Sequence, residues 1–352
     1  MRVVIALGGN AMTAPDGRAT PGDQQAAVEA AAPALAGLAA AGHEVVLTHG
    51  NGPQVGNLLV KNELAAPVVP PVPLDWCGAQ TQGTIGRLLM DALDAELAAR
   101  SSDHRVAALV TRTLVDGDDP GFTRPGKPIG RYLPAGEAAA LAEHGQIWAD
   151  RGPRGWRRLV ASPEPIEVLD TAAASALLAA GFVVVCAGGG GIPTVREVEA
   201  DGTVRLHGAE AVIDKDLTAA ALAIGLRADL LIIATDVDHV MIGYGTARAR
   251  PLGEVTPAEL RAFAAAGEFA DGSMGPKVEA VCRFVEAGGA RAAVTSLHGI
   301  DAAVNGSGGT LVRPGPAGPV APVSATASAG PTGATTSAGP AGTTDPADPA
   351  GT

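Results

Sequence analysis

Residues 3–10 read Val-Val-Ile-Ala-Leu-Gly-Gly-Asn, a short apolar run that ends in a glycine-rich turn. The pattern returns at residues 44–53, where the turn is His-Gly-Asn-Gly-Pro, and at residues 182–193, where four glycines precede Ile-Pro. Continuous apolar runs of this length are typical of strands that are covered on both faces. The three stretches therefore predict buried strands whose carboxyl ends open into turns that a ligand can approach closely.

Apolar runs alternate with helical patterns along most of the chain. The predicted strands cover residues 3–7, 44–48, 106–111, 182–187, 230–234 and 292–295, and the predicted helices cover residues 24–40, 80–99, 171–180, 217–226, 257–266 and 276–287. This alternation predicts an α/β fold with an open, mostly parallel sheet and helices on both faces. Ligands bind such sheets beyond the carboxyl ends of the strands. The glycine-rich turns are therefore expected to converge on one anion, held by backbone N–H groups and helix N-termini.

Composition excludes several classes of protein. The 352 residues carry a net charge of −12, which argues against a nucleic-acid or anionic-membrane partner. No apolar run reaches the length of a membrane span, and the N-terminal run is too short for a signal peptide, so we expect a cytoplasmic protein. Cys77, Cys186 and Cys282 are too widely separated for a metal or disulfide framework, and we expect free thiols. A nucleophilic Cys77 is the alternative, although no positioned base is evident for it.

Two segments differ from the rest of the chain. Residues 314–352 consist almost entirely of Pro, Gly, Ala, Ser and Thr, and we predict a disordered tail that is either a passive extension or a docking segment. Residues 116–165 are dense in Pro, Gly, Asp and Arg and interrupt the strand–helix rhythm. We interpret them as a protruding subdomain that serves as a lid.

Lysine is rare in this chain: only four of the 25 lysine and arginine residues are lysines. Lys127 lies in a Gly-Lys-Pro-Ile-Gly sequence, Lys215 lies between Asp214 and Asp216, and Lys277 follows Gly-Pro. Lysines near glycine-rich turns commonly hold phosphoryl groups. We interpret Asp216 as a helix N-cap or as a carboxylate that organises nearby cations. The alternative is that these are three ordinary surface lysines without a functional role.

Other candidate residues have weaker signals. The loop after residues 230–234 could line a nucleotide pocket, and Tyr244 could flank a purine ring, although ordinary packing is a close alternative. The cluster of Arg154, Arg157 and Arg158 on the predicted lid could contact anions, but a solvated face is favoured. His49 and His239 are interpreted as structural.

The P-loop, the dinucleotide-binding fingerprint and the protein-kinase signatures are all missing from the sequence, so phosphate must be held by another architecture.

Taken together, the motifs resemble those of carbamate kinases, within the amino-acid-kinase superfamily. The matching stretches are residues 6–11, 48–57, 73–75, 81–83, 127–130, 155–157, 162–165, 188–193, 210–216 and 272–277. They run in order over residues 1 to about 312 and include elements of the predicted lid. The tail has no counterpart in this pattern.

The resemblance implies a fold and an activity. The fold is a three-layer αβα sandwich with a protruding lid subdomain, usually in a homodimer. Within a catalytic domain of residues 1–313, an N-terminal half (about 1–115 and 166–190) would hold carbamate, residues 116–165 would protrude, and residues 191–313 would hold the nucleotide. The reaction is reversible phosphoryl transfer between ATP and carbamate, giving ADP and carbamoyl phosphate with Mg²⁺. The direction in arginine catabolism is towards ATP.

The resemblance also implies roles for individual residues. Residues expected to hold carbamate and the moving phosphoryl group are Gly8, Gly9, Asn10, Gly50, Asn51 and Gly52. Catalytic residues are Lys127, Lys215, Lys277 and Asp216, and nucleotide-binding residues are Asp214, Lys215, Tyr244, Met274 and Lys277. Many relatives in the superfamily place a lysine before the first glycine turn, where this chain has Ala6-Leu7, so Lys127 would supply that charge from the lid.

No general base is required, because carbamate is already an anion, and catalysis would rest on positioning and electrostatics. The ligands of Mg²⁺ are unknown, and we expect nucleotide phosphates to hold the ion. Two alternatives stay open: a related small-molecule kinase with a different acceptor, and a catalytically silent nucleotide-binding sensor.

Overall fold

The structure is a computed structural model that describes residues 1–8, 13, 19–270 and 273–315. Gly9, Asn10 and residues 316–352 of the predicted tail lie outside the described residues.

The strands, in chain order, are β1 (Arg2–Leu7), β2 (Glu44–His49), β3 (Arg105–Ala108), β4 (Arg112–Val115), β5 (Lys127–Leu133), β6 (Ile147–Asp150), β7 (Trp156–Val160), β8 (Glu167–Val168), β9 (Phe182–Val185), β10 (Ile192–Val198), β11 (Val204–Gly208), β12 (Leu230–Thr235), β13 (Met241–Ile242), β14 (Arg250–Pro251), β15 (Glu254–Val255), β16 (Arg291–Ser296) and β17 (Thr310–Val312). The α-helices are α1 (Pro21–Ala40), α2 (Gly52–Ala65), α3 (Leu74–Ala99), α4 (Pro120–Thr123), α5 (Ala135–Ala142), α6 (Thr171–Ala179), α7 (Lys215–Gly225), α8 (Pro257–Ala265), α9 (Met274–Glu286) and α10 (Ile300–Val304).

The main sheet has eight strands in the order β15-β17-β16-β12-β1-β2-β9-β3. All six strands predicted from sequence lie in this sheet, and the pairs that join them to one another are parallel. The strands that end in glycine-rich turns, β1, β2 and β9, are direct neighbours. Their carboxyl ends therefore meet at one edge of the sheet, as predicted.

Helices cover both faces of the main sheet. In β1, Val4 and Ala6 belong to the hydrophobic core on one face, which includes residues of α6, α7 and α9. Val3, Ile5 and Leu7 belong to the core on the other face, which includes residues of α1, α3 and α10. Alternate residues of a strand point to opposite faces, so a strand buried on both sides reads as a continuous apolar run. The predicted α/β class with three layers is confirmed.

Smaller sheets lie outside the main one. Strands β5, β7 and β6 form an antiparallel three-stranded sheet within residues 116–165, the segment interpreted as a protruding subdomain. We call this three-stranded sheet the lid sheet. A four-stranded sheet has the order β11-β10-β4-β8, and β13 pairs with β14. Among the helices in the described ranges, none combines the length and hydropathy needed to cross a lipid bilayer.

Strand β3 ends three residues before the predicted boundary at residue 111, because Thr111 has other partners. Its backbone N–H donates to Oε1 of Gln82 over 2.7 Å, and its hydroxyl accepts from the N–H of Ala187 over 2.6 Å. These bonds replace a continued ladder and join α3 to the end of β9.

Candidate functional site

Helix α7 begins at Lys215 because Asp214 caps it. Oδ1 of Asp214 accepts from the backbone N–H groups of Asp216 (2.9 Å) and Leu217 (3.3 Å). An aspartate at this position satisfies N–H groups that have no partner within the helix. Asp214 is therefore the N-cap, and Asp216 lies in the first turn of α7, so the N-cap interpretation of Asp216 is wrong.

The second oxygen of Asp214 faces the lid sheet. Oδ2 accepts from Nζ of Lys127 over 2.5 Å, and Lys127 is the first residue of β5. One carboxylate thus caps α7 and binds the lysine of the predicted lid. The lysine that the sequence placed on the lid reaches the main body of the fold at this point.

Asp216 joins the other two lysines. Its Oδ1 accepts from Nζ of Lys215 over 2.5 Å, and its Oδ2 accepts from Nζ of Lys277 over 2.8 Å. The Asp216 side chain is 5% exposed, and those of Lys215 and Lys277 are 12% and 13% exposed. A buried carboxylate with two ammonium partners is the arrangement expected of a group that organises cations.

Burial and charge act in opposite directions on these groups. Burial raises the pKa of Asp216, but the ammonium groups of Lys215 and Lys277 outweigh it, and the net pKa lies well below its ordinary value. Burial lowers the pKa of Lys215, and the charge of Lys277 adds to this effect while Asp216 opposes it. An anion that entered beside Lys215 would favour its charged form and raise its pKa again.

The glycine-rich turns after β2 and β9 pack against each other. A Cβ on Gly188 would lie 2.3 Å from Nε2 of His49, and a Cβ on Gly189 would lie 2.0 Å from Nδ2 of Asn51. Gly189 also has a φ of +68°, which favours glycine. These glycines therefore leave room for the two side chains at the end of β2. Asn51 is 5% exposed, and its Nδ2 donates to Oγ1 of Thr81 over 2.9 Å.

Several predicted donors in these turns already have partners. The N–H of Gly8 donates to the carbonyl of Ala234, at the end of the adjacent β12, over 2.9 Å, and the N–H of Gly50 donates to the carbonyl of Leu7 over 3.1 Å. Gly52 opens α2, where an N–H group has no acceptor within its own helix. Gly9 and Asn10, predicted to share this role, lie outside the described residues.

His49 is a buried, neutral side chain beneath this site. Its Nδ1 lies 3.0 Å from the carbonyl oxygen of Gly50, which can only accept, so Nδ1 carries the proton. Burial lowers the pKa of His49 to about 4; the charge of Lys215 acts in the same direction, and the bond to Gly50 opposes both. A ring that stays neutral and packs on Gly188 fits the structural interpretation of this residue.

Two adjacent cavities lie at these strand ends. The smaller, of about 200 Å³, is lined by Gly50, Asn51, Gly52, Pro53, Lys127, Pro128, Ile129, Gly189, Val212, Ile213, Asp214, Lys215, Asp216, Ser273 and Lys277. The larger, of about 380 Å³, is lined by Thr235, Asp236, Val237, His239, Met241, Tyr244, Gly267, Glu268, Phe269, Ala270, Ser273, Met274 and Lys277. We call them the lysine cavity and the β12 cavity. Ser273 and Lys277 line both, so the two cavities are neighbours at these residues.

The structure thus brings most of the predicted residues together. Tyr244 and Met274 line the β12 cavity, with Tyr244 76% exposed. The other described ones line the lysine cavity, except Gly8, which lines neither cavity. Ser273 and Thr81 were not singled out from the sequence; each is a polar residue within a motif used for the resemblance, which was the available signal. Within the described ranges, no group of three or more His, Cys, Asp or Glu side chains is arranged to hold a metal ion.

The arginines in and beside β7 have partners of their own. The guanidinium groups of Arg154 and Arg157 lie 5.4 Å and 5.2 Å from the ring centre of Tyr132. Arg158 lies 3.7 Å from Glu63 of α2. These contacts are within the protein, which is consistent with the interpretation that the three arginines do not form an anion site.

Comparison with known proteins agrees with this geometry. The amino acid kinase family matches residues 1–296. The carbamate kinase of Pyrococcus furiosus is 42% identical over 316 residues, which cover 89% of this chain and 99% of the relative. Carbamate kinase 1 of Enterococcus faecium is 42% identical over 301 residues, which cover 85% of this chain and 94% of that relative.

Solved structures give the same result. The carbamate kinase from Giardia lamblia bound to AMP-PNP superimposes with a TM-score of 0.81 at 41% identity, over 89% of this chain and 98% of that one. A structure from Aeropyrum pernix K1 superimposes with a TM-score of 0.84 at 40% identity, over 90% and 100% of the two chains. The chain therefore belongs to the amino acid kinase family, among the carbamate kinases, and is a phosphotransferase.

Proposed function

We propose that this enzyme transfers a phosphoryl group reversibly between ATP and carbamate, giving ADP and carbamoyl phosphate. The observation that carries the proposal is the convergence of Lys127, Lys215 and Lys277, from three separate elements, on two carboxylates that line one cavity. Phosphoryl transfer needs fixed positive charge where negative charge moves between donor and acceptor. The similarity to carbamate kinases supports carbamate as the acceptor.

The three lysines would have different tasks. Lys127 and Lys215 would neutralise the phosphoryl group in transit, and each would leave its carboxylate for the phosphate oxygens or share it with them. Lys277 lines both cavities, which supports a role in binding the nucleotide phosphates and stabilising the leaving oxygen. Asp216 would hold the ammonium groups of Lys215 and Lys277 in place. Carbamate needs no base, because it attacks as an anion.

The glycine-rich turns would hold carbamate and the phosphoryl group. We propose that the N–H of Gly52 and the amide of Asn51 donate to the anion, since the N-terminus of a helix favours negative charge. The N–H groups of Gly8 and Gly50 are paired with neighbouring strands and would not donate to the anion. These two glycines would instead leave space for it. Gly9 and Asn10 are proposed to complete this subsite.

The β12 cavity would hold the nucleoside. Its volume of about 380 Å³ is in the range of small-molecule sites, and it opens onto Lys277. Tyr244 and Met274 would border the adenosine there. Asp214 and Lys215 would contact the phosphates from the lysine cavity.

Mg²⁺ is the cofactor that this reaction implies. The carboxylates of the lysine cavity that could bind it, those of Asp214 and Asp216, both accept from ammonium groups. This donor set fits an ion held mainly by nucleotide phosphates, and we propose that arrangement. When bound, the ion neutralises charge on the phosphate oxygens.

The wider organisation is part of the same proposal. We propose that residues 1–115 and 166–190 hold carbamate, that residues 116–165 form the lid, and that residues 191–313 hold the nucleotide. Assembly as a homodimer, and net formation of ATP in arginine catabolism, are proposed from the resemblance to carbamate kinases.

A coupled assay of ATP formation from carbamoyl phosphate and ADP tests the proposal. We expect sustained ATP formation and, in the reverse direction, a preference for carbamate over glutamate, aspartate and uridylate as acceptors. Faster turnover with another acceptor would instead support a related small-molecule kinase. Binding of ATP without turnover of any acceptor would support a nucleotide sensor.

A further inference from the structure

The strand that carries Lys127 contains an irregularity. In the β5–β7 pair, Ile129 lies opposite Arg158 and Leu133 lies opposite Trp156, so that three residues of β5 face a single residue of β7, Arg157. Such a bulge leaves backbone groups without ladder partners and redirects the strand. Within this bulge Gly130 has a φ of +70°, which favours glycine.

The side chain of Arg157 takes over part of the missing ladder. Its Nε donates to the carbonyl oxygen of Gly130 over 3.2 Å. Its guanidinium group lies 5.2 Å from the ring centre of Tyr132, at the other end of the bulge. A planar guanidinium can donate and stack at once, which an ammonium cannot. Arg157 therefore contacts both ends of the bulge from the opposite strand.

The same bulge is the point where the lid sheet docks on α2. A Cβ on Gly56 of α2 would lie 2.5 Å from Cα of Gly130, so the two backbones are in direct contact. Helix α2 begins at Gly52, beside the lysine cavity. Lys127 lies three residues before Gly130 in β5. The shape of the bulge therefore sets where Lys127 stands relative to that cavity.

We propose that Arg157 is a positioning residue: by holding the bulge of β5 against α2, it places Lys127 for phosphoryl transfer. The expected loss of activity rests on the proposed function, whereas the expected loosening of the β5 bulge does not. A displacement of about 1 Å in a group that stabilises the transition state can lower the rate by up to about a hundredfold.

Arg154 offers a matched control. It lies over the same Tyr132 ring, at 5.4 Å, but it is exposed, and the hydrogen bond to Gly130 comes from Arg157. Arg154→Gln therefore removes an arginine from the same aromatic ring and spares the hydrogen bond to the bulge. Arg157→Lys keeps the positive charge but loses the planar donor, so it separates the geometry of the side chain from its charge.

The test combines steady-state kinetics with hydrogen–deuterium exchange of the peptide at residues 127–133. For Arg157→Gln we expect kcat to fall by about tenfold or more, KM for ADP to stay unchanged, and exchange in that peptide to become faster. Arg157→Lys should behave similarly, because charge alone does not hold the bulge. Arg154→Gln should match wild type in both measurements.

Other outcomes would overturn the proposal. Wild-type kcat and exchange in Arg157→Gln, full rescue by Arg157→Lys, or equal losses in Arg154→Gln would each do so. If the unmodified enzyme fails to turn over carbamoyl phosphate, the proposed function is refuted, while the exchange of residues 127–133 still decides whether Arg157 holds the bulge.

Discussion

Nζ of Lys127 lies 2.5 Å from Oδ2 of Asp214, although the two residues are 87 positions apart in the chain. The other oxygen of Asp214 caps α7, the helix that begins with Lys215. One carboxylate therefore fixes the start of α7 and the lysine of the lid sheet relative to each other. Capping alone would not require the aspartate, because asparagine, serine and threonine also cap helices, but binding the ammonium group of Lys127 needs the negative charge.

Substitution of Asp214 should separate its two tasks. Asn caps as well as Asp but carries no charge. Asp214→Asn should therefore keep the thermal stability of the enzyme, while the rate of ATP formation falls by about tenfold because Lys127 is no longer held by a charged partner.

Asp214→Ala is the comparison for stability. It should cost about 1 kcal/mol more than Asp214→Asn in the free energy of unfolding, since the cap is lost as well. Denaturant titration and the coupled assay give the two readouts. Equal stability of the Asn and Ala variants would show that the cap bonds contribute nothing measurable.

Most of the sheet was predictable because strands buried on both faces leave a clear pattern. Residues 3–7 and 230–234 were expected as strands and are direct partners in the main sheet. Very short strands such as β8, β13 and β14 were missed, since two residues are too few to show a period. Helix α2 was missed because it opens with Gly-Pro and is only partly buried.

The site was predictable as a set of residues but not as a set of contacts. Rare lysines and the resemblance pointed to Lys127, Lys215 and Lys277. Asp214 and Asp216 lie two positions apart, and nothing local distinguishes the cap from the organiser of lysines. Only the backbone angles at Asp214 and the long-range partners decide that. The fit of Asn51 against Gly189 likewise depends on strands that are distant in sequence.

A methyl group on Gly56 should move the lid sheet. The added Cβ would stand 2.5 Å from the Cα of Gly130, and backbone cannot give way as a flexible side chain does. Gly56→Ala should therefore lower ATP formation by at least tenfold and speed hydrogen exchange in the lid sheet, as Lys127 is displaced.

The control for this prediction is Gly37→Ala in α1. A Cβ on Gly37 meets no atom within 4 Å, so this change should leave activity intact and stabilise the helix by about 0.5–1 kcal/mol. Wild-type activity in Gly56→Ala would contradict the close docking of the lid sheet on α2.

His49 should make the enzyme less stable in mild acid. Its pKa is about 4 in the folded protein and 6.5 ordinarily. Below pH 6.5 the unfolded chain therefore binds a proton that the folded chain refuses until about pH 4, and stability falls as the pH drops through this window. The loss from this one residue amounts to about 3 kcal/mol.

His49→Asn isolates the effect. The free energy of unfolding of this variant should depend less on pH between about 6.5 and 4 than that of wild type, whatever the change in absolute stability. Urea titrations at several pH values measure the two slopes. An equal dependence of the free energy of unfolding on pH in the two proteins would mean that His49 is not held neutral by burial.

The central claim is that buried ammonium groups at Asp216 stabilise the phosphoryl group in transit. The most direct test is the rate of ATP formation from carbamoyl phosphate and ADP, per folded molecule, in Lys215→Ala, Lys277→Ala and Lys61→Ala. Lys61, an exposed lysine on α2, is the matched control. We predict that the first two variants lose about a hundredfold or more, while Lys61→Ala is unchanged. Near-normal turnover in both Lys215→Ala and Lys277→Ala would contradict the account.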